Sequence, residues 1–274
     1  MERKEIKMIE KNHKLYLKKV KKNNKKIYKS IKKVNKYIKK NNKHNIWALK
    51  PHRTPIEPPK RSILEEIGSA VSHGIGAILS IVGLVLLLKN SHNGVEVLSA
   101  IIFMIAMLFM FLNSCLYHSW RWGSKVKRIW RRFDYTSIYL QIAGTFAPIQ
   151  LIVLERVYGN IGHVLGLIYF ILMWAAFITG ITLTSIRGPE RCRKINFPLY
   201  FVGGWSALLM VPAWIKYDWH FALWIFIGGV VYSLGMIPFG LLRKKAGAHF
   251  LWHLFVLAGT IIHFYAIYKF IYLM

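Results

Sequence analysis

The pattern of apolar and polar positions divides the 274-residue chain into a polar first part and a long apolar second part. From residue 62 onward, apolar runs of about 20 residues alternate with short loops, and a helix of that length can cross the ~30 Å hydrocarbon layer. Seven runs are predicted to do so: residues 67–88, 95–119, 134–154, 161–185, 197–215, 219–241 and 248–273. The sequence therefore predicts an all-α integral membrane protein, a seven-transmembrane helix bundle over residues 62–274.

Basic residues are distributed unevenly between the two sets of loops. If the N-terminus is cytoplasmic, 13 Lys and Arg face that side and 4 face the other. The positive-inside rule then predicts a cytoplasmic N-terminus and a C-terminus on the opposite side, in the plasma membrane or an internal membrane. The 13 residues are Arg121, Lys125, Lys127, Arg128, Arg131, Arg132, Arg187, Arg191, Arg193, Lys194, Arg243, Lys244 and Lys245.

The polar first part is strongly basic: residues 1–61 hold 22 of the 39 Lys and Arg and 4 of the 11 Asp and Glu. Residues 1–50 are interpreted as a Lys/Asn-rich cytoplasmic tail, and residues 51–61 as a Pro-rich linker. The tail could be a disordered arm, or residues 14–40 could form an amphipathic helix on an anionic leaflet. Nucleic-acid binding is disfavoured because Arg is scarce. The apolar positions at helical spacing are Val20, Ile27, Ile31, Val34 and Ile38.

The seventh run begins with a pair of histidines, His249 and His253. Residues four apart share one face of a helix, one turn from each other, which is the geometry that two ligands of one metal ion need. Polar groups without partners are costly in lipid, so such a pair indicates a function.

The predicted topology brings a third histidine to the same membrane depth. The second run ends at the cytoplasmic face, where the third and seventh begin, so His118 and Asp134 are expected near His249 and His253. Three imidazoles with a fourth position left for water are typical of a catalytic zinc site. Asp134 would act as a base or support a ligand histidine, and Ser114, one turn before His118, would contact the water or a substrate carbonyl.

Each of these residues also has a structural interpretation. Asp134 could cap the third helix, Ser114 could pack a helix interface, and His118 alone could be an interfacial residue. Cys115 could replace one histidine as a soft ligand, although packing is favoured. Cys115 and Cys192 are too few for a disulfide framework and are expected to be free thiols.

The remaining histidines of the apolar part are predicted to lie outside the cluster, with one exception. His263 lies ten residues beyond His253, roughly 15 Å along the helix, and is expected to pack or hydrogen-bond. His73, about two turns into the first run, is at the right depth to line the pocket or support a ligand. The others, on the outer side, are His92, His163 and His220.

Ser114-x-x-x-His118, Asp134 and His249-x-x-x-His253 resemble the three signature sites of the hemolysin III family, which is related to the progestin and adiponectin receptor family. Residues 65–67, 72–76, 132–134, 138–145 and 249–266 also resemble that family. The resemblance implies a seven-helix membrane protein with its N-terminus inside. It also implies zinc held by His118, His249 and His253, with Asp134 and Ser114 close to the bound water.

Three functions remain open from the sequence. A zinc-dependent hydrolase of a lipid amide or ester is favoured, since the receptor relatives are associated with ceramide hydrolysis. A pore-forming, cytolytic protein is the alternative that the family name suggests, although the runs lack the rings of charge that an aqueous pore usually needs. A receptor-like signalling protein is the third.

Overall fold

A computed structural model describes residues 2–41, 57–242 and 245–274, and it divides the chain into two units, Met1–Pro55 and Ile56–Met274. The first unit contains helix α1 (Glu2–Asn41). The predicted linker lies outside the described residues as far as residue 56, as do Arg243 and Lys244 of the basic loops.

The second unit is a bundle of helices, with no strand among the residues described. Within the described ranges six stretches are long and apolar enough to cross a membrane, so the protein is a multi-pass integral membrane protein. Its helices are α2 (Ile63–Lys89), α3 (Gly94–Ser119), α4 (Lys125–Pro148), α5 (Leu154–Arg187), α6 (Pro189–Trp205), α7 (Val211–Tyr217), α8 (Trp219–Gly240) and α9 (Ala248–Ile267).

The third apolar stretch, Lys125–Arg187, is 63 residues long and turns back on itself. A π-helical turn, Ile149–Val153, joins α4 to α5, and the backbone reverses at Gly159, where φ is 61° and ψ is −139°. Beyond that point a β-carbon at Gly162 or Gly166 would overlap the backbone carbonyls of the preceding arm. The two arms therefore pack backbone against backbone as an antiparallel hairpin, which only glycine permits at these positions.

Helix α4 begins nine residues earlier than the sequence predicts, because the polar residues before Asp134 are helical too. The Ser124 side chain caps the helix by accepting the Lys127 backbone N–H at 3.1 Å. Asp134 consequently lies more than two turns inside α4, and the interpretation of Asp134 as a cap is wrong. The fifth predicted run also begins early, at Pro189, and a 3₁₀ segment, Ser206–Met210, interrupts it.

Helix α9 packs between α2 and α8. Small residues allow close approach on the α8 side, where the His263 ring lies against Gly228 and the Tyr232 ring against Gly259. This packing places the first turns of α9 beside the first turns of α2 and the last turn of α3.

The other end of the bundle is tied together by Arg156 at the start of α5. Its guanidinium donates to Glu96 of α3 at 2.9 Å, to the Tyr217 hydroxyl at 2.8 Å and to the Ile271 carbonyl at 3.0 Å. The start of α3 therefore meets the π-helical segment Tyr268–Tyr272, which continues α9, at one end, and the end of α3 and the start of α9 meet at the other. We call the latter the histidine end.

Candidate metal centre

The three histidines predicted as metal ligands meet at the histidine end of the bundle. The His249 Nε2 atom lies 3.2 Å from His118 Nε2 and 3.1 Å from His253 Nε2. All three side chains are buried. Helix α3 supplies His118 from its last turn, and α9 supplies the other two from one face of its first turns.

Hydrogen bonding among the three rings does not satisfy them. Each imidazole nitrogen carries either one proton or one lone pair, yet His249 Nε2 faces two other nitrogens at once. A tetrahedral site with zinc–nitrogen bonds of 2.0–2.1 Å has nitrogens about 3.3 Å apart, close to the separations here. The donor set therefore fits a metal ion, and these three residues could hold one.

The backbone at the start of α9 helps to set the position of the pair. Gly247 precedes the helix with φ of 77°, a left-handed conformation that glycine adopts without strain. The His249 backbone N–H then donates to Glu65 of α2 at 3.1 Å. The first turn of α9, whose N–H groups have no partner within the helix, is thus anchored to α2.

A buried charge pair orients His118, and sequence reasoning missed it. The His118 Nδ1 atom lies 2.6 Å from the Glu66 carboxylate, which also accepts from Lys127 Nζ at 3.0 Å. A carboxylate on the far nitrogen of a ligand histidine fixes the ring and directs its other nitrogen at the metal. The sequence analysis included Glu66 only in the stretch that resembles the family, and Lys127 only among the charges of a loop. The signal that could have identified Glu66 is an acid at the same predicted membrane depth as the histidines.

The His73 ring lies against the other nitrogen of His253, with the ring centroids 3.9 Å apart. The His253 Nδ1 atom lies 2.9 Å from His73 Nε2 and 3.0 Å from His73 Nδ1. Because Nδ1 of His253 faces α2, its Nε2 is directed at the other two ligand histidines. This is the pocket-lining position that membrane depth predicts for His73.

Ser114 and Asp134 line a small pocket together with His249 and His253. The Ser114 side chain is 1% exposed, and its hydroxyl makes no well-aligned hydrogen bond in the described part of the chain, although the Asp134 carboxyl lies close to it. A buried hydroxyl without such a bond is unfavourable unless something else binds there. The Cys115 sulfur instead lies against Gly74 of α2, as the packing interpretation predicts.

The remaining histidines described lie elsewhere. His263 bonds to the Ile225 carbonyl at 2.9 Å, at the opposite half of α9. His163 pairs with Glu155 at 3.0 Å on an exposed surface.

Two larger cavities adjoin the small pocket. The first, about 140 Å³, is almost entirely apolar and lies among α4, α6, α8 and α9. It shares five lining residues with the pocket: Ile138, Gln141, Phe239, Trp252 and Val256. The second, about 290 Å³, is more polar and shares Tyr135, Phe239 and His249 with it.

Comparison with known proteins identifies the family of this chain. The family model described as "Haemolysin-III related" matches residues 61–264, a range that contains every residue of the candidate centre. The chain belongs to the haemolysin III-related family. The similar proteins also include relatives from bacteria and from mammals.

A "Hemolysin-3 homolog" of Bacillus subtilis (strain 168) is 33% identical over 210 residues, which is 75% of this chain and 94% of that protein. "Hemolysin-3" of Bacillus cereus is 34% identical over 209 residues, 75% of this chain and 91% of that protein. "Monocyte to macrophage differentiation factor" of Homo sapiens is 28% identical over 230 residues, 81% of this chain and 91% of that protein. The last match supports the relation to the progestin and adiponectin receptor family.

Proposed function

We propose that this haemolysin III-related protein is a zinc-dependent membrane hydrolase that cleaves an amide or ester bond of a lipid such as ceramide. The observation that carries the proposal is the convergence of three buried imidazole nitrogens beside Ser114 and Asp134. Three protein ligands leave a fourth position open, which is typical of catalytic rather than structural zinc sites.

The residues of the chain have separate tasks in this proposal. His118, His249 and His253 hold the zinc ion, which supplies Lewis acidity for a carbonyl group and favours ionisation of water. The rings of His118 and His253 are kept in orientation by Glu66 and His73.

Asp134 and Ser114 act on the water and the substrate. The Asp134 carboxylate accepts the proton that water releases and passes it to the leaving group. The Ser114 hydroxyl, which lines the small pocket beside Asp134, donates to the carbonyl oxygen of the substrate.

The apolar cavity supports a lipid as the substrate. A cavity of about 140 Å³ with an almost wholly apolar lining suits an acyl chain, and it meets the small pocket at Gln141, Phe239 and Trp252. An acyl chain in the cavity would present its carbonyl end to Ser114 and the histidines.

The proposal includes seven crossings with a cytoplasmic N-terminus. The antiparallel arms of the Lys125–Arg187 stretch support two crossings in place of one, because a straight helix of 63 residues would be about 95 Å long.

We also propose that α1 contacts an anionic leaflet, since Ile27, Ile31 and Val34 are exposed on a Lys-rich helix.

An Asp134→Asn variant tests the chemistry apart from metal binding. Purified protein is assayed for bound metal and for hydrolysis of ceramide-like amides and matched lipid esters. We expect the variant to retain its metal and to lose about 10²–10⁴-fold in turnover, as for removal of a general base. Equal turnover, or no turnover by metal-loaded wild-type protein on either lipid class, would refute the proposal. Dye release from vesicles without hydrolysis would favour the pore-forming alternative.

A further inference from the structure

The polar cavity at the histidine end is lined by three arginines, Arg61, Arg131 and Arg193. Its volume is about 290 Å³, and it reaches His249 through Tyr135 and Phe239, which also line the small pocket. The cavity therefore borders the candidate metal centre at Tyr135 and His249, which do not line the apolar cavity.

The acids that line this cavity are already paired. Glu57 accepts from Arg128 at 2.6 Å, and Glu190 forms an ion pair with Arg131, although the buried Oε1 atom of Glu190 makes no well-aligned hydrogen bond in the described chain. Arg61 makes a 3.4 Å contact with the Tyr117 hydroxyl, and Arg193 lies 5.2 Å from the Phe197 ring centroid. Within the described residues neither forms an ion pair, and residues 42–56 and 243–244 contain no Asp or Glu.

Arg131 provides the second observation that points to a ligand. Its side chain is buried, with the residue 7% exposed, and beside the Tyr135 ring, 5.8 Å from the guanidinium carbon, its Nε and Nη1 atoms make no well-aligned hydrogen bond in the described chain. Burying charged donors without acceptors costs free energy. The same cavity receives the start of α6, whose first residues have no side-chain cap and whose N–H groups favour an anion.

We propose that the three arginines bind the phosphate group of an amphiphilic ligand. The guanidinium fork matches phosphate oxygens in a bidentate geometry, and three guanidiniums around one cavity suit a group with more than one oxygen and more than one charge. The acyl chain of the same ligand would lie in the apolar cavity, with the candidate metal centre between head and tail. If the ligand is the substrate, this inference rests on the proposed hydrolase function, and it specifies that the substrate is a lipid with a phosphate group.

Binding to purified wild-type protein in detergent tests the inference without any assay of hydrolysis. The probes are dihexanoyl phosphatidic acid, the neutral dihexanoyl glycerol with the same acyl chains, and inorganic phosphate. Arg193→Gln is the informative variant, because Arg193 is only half-buried and its loss should be tolerated. Arg191→Gln is the matched control, since Arg191 is exposed and does not line the cavity.

We expect phosphatidic acid to bind at least about tenfold more tightly than the neutral lipid, and Arg193→Gln to remove about tenfold of that affinity, as for one charged hydrogen-bond partner. Arg191→Gln should bind like wild type. Inorganic phosphate that binds alone and depends on Arg193 would assign the site to a free phosphate ion; binding by the lipid alone would assign it to a headgroup.

Equal affinity for charged and neutral lipids, or equal effects of the two variants, would overturn the inference. The two proposals fail differently. Arginine-dependent phosphate binding without hydrolysis would refute only the hydrolase, whereas hydrolysis without preference for a phosphate group would refute only this site.

Discussion

Two buried histidines of the same helix, His253 and His263, have different surroundings. At the histidine end, His253 contacts two other imidazoles, His249 and His73, through its two ring nitrogens. In the other half of α9, His263 bonds to the Ile225 carbonyl and its ring packs against Gly228.

The difference shows that burial of an imidazole in an apolar helix does not identify a ligand. The Ile225 carbonyl accepts the Nε2–H of a neutral His263 ring, and Nδ1 has no partner in the described chain, so one nitrogen of His263 is unpaired but no second imidazole faces it. At the histidine end, nitrogens face nitrogens, and protons shared among the rings cannot satisfy all of them. A metal ion would.

The largest difference is expected between a substitution at His253 and a substitution at His263. His253→Ala should abolish both bound metal and hydrolysis, because two ligands do not hold zinc in a catalytic geometry. His263→Gln, ten residues along the same helix, should retain both. Metal content and turnover of the two purified variants are the measurements, and loss of metal in both would break the comparison.

Removing the support of one ligand should have a smaller effect. Glu66→Gln leaves the three histidines in place but weakens the partner of His118, and we expect metal affinity to fall about 10–100-fold. Competition with a chelator measures this affinity. Glu57→Gln is the control, since Glu57 pairs with Arg128 away from the cluster. An equal fall in the metal affinity of this variant would show that the loss of any acid has the same effect.

Two buried serines, one near each end of α3, allow the same comparison between the histidine end and the opposite end of the bundle. The hydroxyls of Ser114 and Ser99 both make no well-aligned hydrogen bond in the described chain, but Ser114 alone lines the pocket of the histidines. Ser114→Ala should lower turnover about tenfold, the worth of one hydrogen bond, with metal retained. Ser99→Ala should leave turnover unchanged, and a matching loss would remove Ser114 from the mechanism.

The smallest effect is expected at the packing site of His263. A β-carbon at Gly228 would overlap the His263 ring, whereas one at Gly229 would meet nothing within 4 Å. Gly228→Ala should lower the free energy of unfolding by about 1–3 kcal/mol without loss of metal, and Gly229→Ala should raise it by up to about 1 kcal/mol, because alanine favours a helix interior over glycine. Thermal unfolding compares them; a larger loss in Gly229→Ala would contradict this account of packing.

Much of the candidate centre could be predicted from the sequence. The spacing of His249 and His253 requires only helical periodicity, and His118 follows from counting crossings, since alternate runs end on the same side. Membrane depth also located His73. By contrast, the start of α4 was missed because hydropathy does not detect a helix whose first turns are basic, as between Lys125 and Asp134.

The sequence by itself determined which runs are apolar enough for a membrane and which imidazoles share one face or one depth, because length, periodicity and side of the membrane are local properties of the chain. The tertiary structure alone decided that Glu66 and Lys127 support His118, that the arms meeting at Gly159 lie backbone to backbone, and that three arginines line a cavity beside His249. Those contacts depend on the rotation and offset of each helix against its neighbours, which small residues and packed rings determine across the bundle.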